Sequence, residues 1–195
     1  MLIETNELHG IESHIDFKEN ADSCESPLTI FLGQGMVKGV GFDGIVRKAV
    51  ELGVSQVIPV SANRCVSKLS SGDTTKKNVR WQRIAREAAK QCGRSRVPEI
   101  LAKPLSVEKF CYTKRECELK IIFWEEERSI RIKDLPDIGV IKSAAVLIGP
   151  EGGFASNEIK SAKEYGFHSV SLGPRLLRTD TAPLAVLAIL QNQWG

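Results

Sequence analysis

Short apolar runs and segments of helical periodicity alternate along most of this chain. The apolar runs have the length of β-strands and lie at residues 28–32, 55–60, 99–103, 119–126, 144–150 and 168–173. Between them, apolar residues recur every three or four positions, as in amphipathic helices, at residues 41–53, 74–92, 106–114, 156–165 and 181–194. Strands that alternate with helices in this way predict an α/β domain whose sheet is mainly parallel and flanked by helices.

Glycine, serine and proline mark the predicted helix ends. Gly53, Gly93 and Gly166 each follow a helical segment, where a residue with positive φ commonly ends a helix. Ser156 is expected to cap the helix that starts beside it, and Pro183 fits the first turn of the last helix. The centre of that last helix is apolar almost all round, so we expect it to be buried in the core or against a partner chain.

The beginning of the chain differs from the rest. Residues 1–27 are polar and irregular, and they are interpreted as a flexible tail or as the remnant of a larger domain, whereas the regular domain spans residues 28–195. The first residues lack a basic stretch followed by an apolar one, and no apolar run approaches the roughly 20 residues of a membrane span. The sequence therefore predicts a cytoplasmic location.

The composition is that of a packed globule, with 195 residues of which 42% are hydrophobic. Five cysteines occur without a CxxC spacing, at positions 24, 65, 92, 111 and 117. The histidines His9, His14 and His168 lie far from any cysteine pair. We therefore expect no metal site, and free buried thiols in a reducing compartment.

Positive charge is concentrated in one segment, although the net charge is only +3. Residues 76–96 contain one acid, Glu87, and eight bases: Lys76, Lys77, Arg80, Arg83, Arg86, Lys90, Arg94 and Arg96. Such a stripe suits a polyanion such as RNA, and it is equally typical of a solvated helix face.

The glycines Gly39, Gly41 and Gly44 form a GxGxxG pattern after a strand, as in a dinucleotide-binding turn. A nicotinamide site of that kind also needs an acid at the end of the next strand to hold a ribose. That strand ends VIPVSANR, without Asp or Glu, so the pattern is weak support for a nicotinamide enzyme.

Two glycine-containing loops, 149–153 and 173–181, each follow a predicted buried strand. Ligands of open α/β sheets bind beyond the carboxyl ends of the strands, and glycines let the backbone approach a ligand closely. The loops are therefore candidates for cupping a nucleoside, and the alternative is that each is only a tight turn.

Five segments with their order and spacing resemble those of a known family: residues 43–53, 80–89, 91–99, 148–154 and 171–182. Over residues 28–195 the chain resembles the ribosomal RNA small subunit methyltransferase E family of the SPOUT (trefoil-knot) superfamily. The resemblance implies a deep C-terminal trefoil knot, S-adenosylmethionine as cofactor, and a homodimer that shares the RNA site. It also implies methylation of a uridine at N3 in 16S ribosomal RNA, within the assembled 30S subunit.

The resemblance also implies roles for individual residues. The cofactor-binding residues would be Ile148, Gly149, Gly152, Gly153, Leu172, Gly173, Leu177, Thr181 and Ala182. The RNA-binding residues would be Arg94, Arg96, Arg83 and Lys48. Arg178 would face the target base, and Arg175 is interpreted as a residue that braces the knot.

The chemistry of the reaction supports a role for Arg178 and Asp180. Uracil N3 becomes nucleophilic when it loses its proton, which spreads negative charge onto O2 and O4. A guanidinium aimed at those oxygens favours the anion, so Arg178 is the catalytic candidate. Asp180 either orients Arg178 or accepts the proton, or it is a helix N-cap or first-turn acid.

The sequence also departs from the family pattern. A PUA-like RNA-binding domain usually precedes the knotted domain, and here about 27 residues stand in its place. Asp180 replaces a Glu, Arg47 a Gln and Pro183 an Ala. The alternative function is therefore a non-catalytic RNA-binding or ribosome-assembly homologue that keeps the knot but lacks the targeting domain.

Overall fold

The fold is built on one parallel β-sheet, in a computed structural model that describes residues 24–37, 41–65, 71–135 and 139–195. Its strands are β1 (Thr29–Gly35), β2 (Gln56–Ser61), β3 (Glu99–Ile100), β4 (Leu105–Ser106), β5 (Leu119–Phe123), β6 (Ser143–Ile148) and β7 (His168–Val170). Their order across the sheet is β3-β2-β1-β6-β5-β7, and β4 also pairs with β2. Every pairing is parallel.

Helices cover both faces of the sheet. They are α1 (Gly41–Glu51), α2 (Ser71–Gln91), α3 (Val107–Thr113), α4 (Ser156–Glu164) and α5 (Ala182–Trp194), with a 3₁₀ turn at Ile132–Asp134. Apolar residues of α1, α2 and α5 pack into one core on one face, and those of α3 and α4 pack into a second core on the other. The prediction of an α/β domain with a parallel sheet between helices is confirmed.

Strand β6 explains why the sheet is buried on both faces. Ala144, Val146 and Ile148 enter the core beneath α1 and α5, while Ala145 and Leu147 enter the core beneath α3 and α4. All five are at most 3% exposed. Burying one such Val, Leu or Ile side chain contributes roughly 1.5–3 kcal/mol, so a continuous apolar run is stable only as a central strand.

Most predicted helix ends are confirmed, and one cap is wrong. Gly53, Gly93 and Gly166 have φ values of 78°, 76° and 79° at the ends of their helices, and Pro183 occupies the second position of α5. Ser156, by contrast, is already the first helical residue of α4, and Ala155 takes the cap position. The Glu158 carboxylate accepts the Ala155 N–H at 2.9 Å, and the Glu158 N–H donates to the Ala155 carbonyl at 2.9 Å, so this end of α4 is closed without a serine side chain.

All five cysteines are free thiols, as expected. Only Cys111 and Cys117 are buried, however, whereas Cys24 is exposed. Burial raises the pKa of the Cys111 thiol to about 12, so this thiol stays protonated at neutral pH. Among the residues described, no three or more His, Cys, Asp or Glu side chains converge on a metal site. None of the described helices is long and apolar enough to span a membrane.

A partly buried ion pair ties the segment before β1 to the helical layer. The guanidinium of Arg94 donates to the Glu25 carboxylate, with Nη2 at 2.8 Å, and to the carbonyls of Val50 and Val54 at 3.0 and 2.7 Å. The side chains of Arg94 and Glu25 are only 8% and 13% exposed. Glu25, which precedes residue 28, is therefore anchored to the domain.

The Glu25 carboxyl titrates below its usual range. Burial by itself would raise its pKa, but hydrogen bonds from the Arg94 side chain and the Arg96 N–H, with the charges of both arginines, outweigh burial and lower the pKa. A lowered folded-state pKa means that the pair stabilises the fold above the ordinary carboxyl pKa. That stabilisation is lost as the pH falls through the folded-state pKa.

The Arg94→Met variant should lose about 3 kcal/mol of unfolding free energy, because it removes the guanidinium charge from beside the largely buried Glu25 carboxylate and the hydrogen bonds to the Val50 and Val54 carbonyls. Urea denaturation at pH 7 measures the loss, and the gap to the parent should narrow below about pH 4 as Glu25 is protonated. The matched control Arg83→Met, on the exposed side of α2, should stay within about 0.5 kcal/mol of the parent. Equal effects of the two substitutions would contradict a structural role for Arg94.

Candidate active site

The carboxyl ends of the parallel strands meet at one edge of the sheet, and three connections emerge there side by side. Strand β5 lies between β6 and β7, so its continuation, residues 124–131, runs between the loops 149–155 and 171–181. Adjacent strands are about 4.8 Å apart, which places the ends of β6 and β7 roughly 10 Å apart. The two predicted glycine loops therefore leave the sheet two strand spacings apart, on either side of the end of β5.

The loop 149–155 is held tightly at its two adjacent glycines. The Gly153 N–H donates to the Pro150 carbonyl at 2.9 Å, and Gly153 has a φ of 68°. A Cβ on Gly153 would overlap the Glu125 carboxylate, and a Cβ on Gly152 would lie 2.9 Å from the Arg64 carbonyl oxygen. The backbone of this loop can approach its neighbours so closely only because both positions are glycine.

The loop 171–181 is fixed at both ends. At its start the Ser171 N–H donates to the Ile130 carbonyl at 2.8 Å, which ties the loop to the continuation of β5. At its end the Arg178 carbonyl accepts the N–H groups of Thr181 and Ala182, both at 2.9 Å, and so begins α5. The middle of the loop is more exposed.

The predicted cofactor residues all fall on these two loops and the strand and helix ends beside them. Ile148, Gly149, Gly152 and Gly153 lie at the end of β6 and after it; Leu172, Gly173, Leu177, Thr181 and Ala182 lie between β7 and α5. Ile148 is buried, and Leu172 and Leu177 are partly buried against the same core. The structure therefore brings the predicted residues to one edge of the sheet.

Arg178 and Asp180 lie on the exposed part of the second loop. The Arg178 side chain is 87% exposed, and its Nε lies 3.6 Å from Asp180 Oδ1. The cap residue of α5 is Thr181, and the first turn of α5 contains no acid. The interpretation of Asp180 as a helix N-cap or first-turn acid is therefore wrong, and its described contact with Arg178 agrees with the orienting alternative.

The predicted RNA-binding residues divide into two groups. Three of them are exposed: Lys48 lies on α1, Arg83 on α2, and Arg96 just after α2. The side chain of Arg94 is only 8% exposed, and its guanidinium donates to Glu25, Val50 and Val54. These contacts lie within the domain, so the predicted contact of Arg94 with RNA phosphates stays a prediction.

The basic stripe is a continuous exposed face of α2. Its exposed members, spaced three or four residues apart, are Lys76, Arg80, Arg83, Arg86 and Lys90, and such spacing places side chains on one side of a helix. Arg80 also forms an ion pair with Asp43 of α1.

Four residues near the glycine loops were not predicted as site residues: Asn63, Arg64, Glu125 and Glu158. Arg64 Nη1 donates to the Gly152 carbonyl at 3.4 Å, and Glu125 packs against Gly153. For Asn63, Arg64 and Glu125 the available signal was their position close to the ends of the apolar runs that became β2 and β5, whereas Glu158 lies in the first turn of α4. Since every strand of a parallel sheet ends at the same edge, polar residues in that position are candidates for the site.

The part of the GxGxxG pattern that the structure describes belongs to helix α1. Gly41 begins α1 and Gly44 lies within it, while Gly39 lies outside the described residues. Asp43, inside the pattern, accepts a hydrogen bond from Trp81 Nε1 at 3.0 Å and thereby joins α1 to α2.

Comparison with known proteins agrees with this geometry. The family model for the RNA methyltransferase domain matches residues 24–191. The Ribosomal RNA small subunit methyltransferase E of Buchnera aphidicola subsp. Schizaphis graminum is 36% identical over 194 residues, which cover 100% of this chain and 76% of that protein. The protein of the same name from Bacillus subtilis is 33% identical, over 88% of this chain and 69% of its own.

A solved structure is similar as well. The Ribosomal RNA small subunit methyltransferase E from Neisseria gonorrhoeae, bound to S-adenosyl methionine, superposes with a TM-score of 0.78 at 34% identity. The match covers 94% of this chain and 72% of that one.

The parallel sheet with two glycine loops at one edge is therefore an RNA methyltransferase domain. Within that class, the chain belongs to the ribosomal RNA small subunit methyltransferase E family. The resemblance inferred from the five sequence segments is confirmed, and the nicotinamide alternative is overturned by the same matches.

The Gly153→Ala variant should disturb the first loop, because alanine at positive φ is strained and its Cβ would overlap the Glu125 carboxylate. We expect a loss of roughly 2 kcal/mol in thermal or urea unfolding. Gly44→Ala is the matched control, since open space surrounds Gly44 within α1 and alanine favours helix by up to about 1 kcal/mol. If Gly153→Ala were as harmless as Gly44→Ala, the described packing of the loop would be incorrect.

Proposed function

We propose that this protein transfers the methyl group of S-adenosylmethionine to N3 of a uridine in 16S ribosomal RNA. The observation that carries the proposal is the sheet edge at which two glycine loops face each other across the end of β5, with a solvent-exposed arginine on one of them. Family membership supplies the reaction class, and the geometry supplies a place for a nucleoside cofactor beside a cation.

The residues at this edge fit S-adenosylmethionine. The partly buried side chains of Leu172 and Leu177 offer apolar surface for an adenine, and the backbone of Ile148, Gly149 and Gly173 can approach the polar atoms of the nucleoside. When bound, the cofactor supplies an electrophilic methyl group on a sulfonium. The related protein from Neisseria gonorrhoeae has been solved with S-adenosyl methionine bound.

Arg178 stabilises the reacting uracil in this proposal. The N3–H proton leaves, negative charge spreads onto O2 and O4, and the guanidinium of Arg178 binds these oxygens. The N3–carbon bond then forms as the sulfur–carbon bond breaks, in line, so positioning accounts for most of the protein's remaining contribution. Asp180, 3.6 Å from the guanidinium, orients Arg178 or takes up the proton.

RNA is the partner that the exposed cations support. Arg83, Arg96 and Lys48 lie in the layer formed by α1 and α2, where they can contact successive phosphates and so position the RNA without reading its sequence. The proposed substrate is the 16S RNA within the assembled 30S subunit, and the proposed location is therefore the cytoplasm.

The proposed assembly is a homodimer. Helix α5 keeps apolar residues on its outward side, with Ile189 41% exposed, and Leu176 on the preceding loop is 83% exposed. Large apolar side chains exposed together commonly mark a protein interface. A partner chain seated there would lie directly beside Arg178.

We further propose that residues 28–195 form the catalytic domain and that its C-terminal part forms a trefoil knot. The connection between β5 and β6 is hydrogen-bonded to the part of the chain after β7 near each of its own ends. Near its start, the Ile130 carbonyl accepts the Ser171 N–H, and near its end, the Gly139 carbonyl accepts from Trp194 Nε1 at 2.8 Å. A final helix threaded past this connection would make such contacts. The role of residues 1–27 as a domain remnant or tail stays a prediction, and residues 1–23 lie outside the described residues.

Arg178→Ala should abolish methyl transfer while leaving cofactor binding intact, because Arg178 is exposed and acts on the uracil. Calorimetric titration with S-adenosylmethionine measures binding, and tritiated methyl incorporation into unmethylated 30S subunits and free 16S RNA measures transfer. We expect at least a hundredfold loss of transfer. The control is Arg175→Ala on the same loop: Arg175 is exposed rather than packed inside the domain as a brace of the knot would be, so this variant should retain activity.

Other outcomes would redirect the proposal. Cofactor binding without transfer by the parent protein would favour the non-catalytic RNA-binding homologue. Equal activity of the Arg178→Ala variant and the parent would exclude Arg178 as the catalytic residue. Absence of cofactor binding by the parent would overturn the proposed function itself.

Arg83→Glu should weaken RNA binding and reduce its salt dependence, because each lost phosphate contact lowers the slope of log K against log salt by about 1. Filter binding to 16S RNA between about 50 and 200 mM salt measures both. Arg115→Glu makes the same charge change after α3, on the opposite face of the sheet. If the two substitutions weakened binding equally, net charge rather than the α2 face would be responsible.

A further inference from the structure

We infer that Arg64 and Glu125 form a binding site for the amino-acid end of S-adenosylmethionine, with Arg64 receiving its α-carboxylate and Glu125 its α-ammonium group. This inference rests on the proposed function, since it assumes that the cofactor binds at the glycine loops. It adds two charged residues to a site that otherwise consists of backbone and apolar side chains.

The two residues lie against the two glycines of the first loop. Arg64 follows β2, and its Nη1 lies 3.4 Å from the Gly152 carbonyl oxygen. Glu125 follows β5, and its carboxylate occupies the space beside the Cα of Gly153. A ligand that contacts the Gly152–Gly153 backbone therefore has a cation and an anion within reach.

A buried carboxylate fixes the position of Arg64. Glu158, 7% exposed, accepts the Asn63 N–H with Oε1 and the Ala155 N–H with Oε2, both at 2.9 Å. One side chain thus joins the segment after β2 to the end of the glycine loop. Arg64 is placed beside that loop by the fold rather than by its own surface contacts.

The Arg64–Glu125 pair is loose enough to exchange partners. Nη1 and Oε1 are 3.7 Å apart, and the two side chains are 46% and 30% exposed. An exposed ion pair contributes about 0–1 kcal/mol to stability, so replacing it with contacts to a ligand costs little. Two opposite charges held close together, without strong mutual bonding, complement a ligand that itself carries both charges.

The amino-acid end is the part of the cofactor with that property. Its α-ammonium and α-carboxylate are attached to one carbon, whereas the adenine and ribose are uncharged. A guanidinium binds a carboxylate through two parallel N–H groups, and a carboxylate accepts hydrogen bonds from an ammonium. The pair therefore distinguishes the intact cofactor and its product from fragments that lack the amino acid.

Calorimetry tests the inference by measuring how tightly three ligands bind to the parent protein and to the variants Arg64→Gln and Glu125→Gln. S-adenosylhomocysteine carries both charges, decarboxylated S-adenosylmethionine keeps the ammonium but lacks the α-carboxylate, and 5′-methylthioadenosine lacks the amino acid. We expect each variant to bind S-adenosylhomocysteine roughly tenfold more weakly. Binding of 5′-methylthioadenosine should stay within about twofold of the parent, which also reports that the variants are folded.

The decarboxylated ligand separates the two roles. Glu125→Gln should weaken its binding, and Arg64→Gln should not, because its α-carboxylate is absent. Glu126→Gln and Arg128→Gln, exposed neighbours on the same segment, should behave as the parent with all ligands.

Two results would overturn the inference. If either variant lost as much affinity for 5′-methylthioadenosine as for S-adenosylhomocysteine, the Arg64–Glu125 pair would only stabilise the loop. Unchanged affinity for S-adenosylhomocysteine would show that the charges do not contact the amino acid. If the parent bound none of the three ligands, the proposed function would fail and this inference with it.

Discussion

Backbone pairing of β5 with β6 on one side and β7 on the other sets the geometry of the whole site. These parallel ladders place the two glycine loops at one edge, two strand spacings apart, with the continuation of β5 between them. The ladders persist because β5 and β6 are buried on both faces by two separate cores. The distance between the two glycine loops is therefore a consequence of apolar burial elsewhere in the sheet.

Polar contacts then complete what the ladders arrange. Glu158 holds the segment after β2 to the glycine loop, and Ser171 joins the second loop to the continuation of β5. Each contact connects elements that are distant in sequence, so the site is assembled from three connections that are rigid where they meet the sheet. Arg178, by contrast, lies on the exposed part of the second loop, where its described contact is with Asp180.

The arginines show how far a residue type constrains its role. Arg94 and Arg178 both lie in segments that match the family, yet one is 8% exposed and the other 87%. Burial makes Arg94 a structural anchor for Glu25, and exposure leaves Arg178 available for chemistry. The same applies to acids: Glu158 is buried between two loops, whereas Asp180 precedes the cap of α5 and contacts Arg178.

The sequence by itself determined the α/β fold, the helix-ending glycines, the two loops and the family, because continuous apolar runs, helical spacing and glycine turns are local properties of the chain. It did not determine that Arg94 faces inward, that Ala155 rather than Ser156 caps α4, or that Arg64 and Glu125 meet at the glycine loop. Those outcomes depend on strand order, which brings residues up to about 90 positions apart into contact. Long-range packing decides which side chains are buried, and burial decides what a charged group can do.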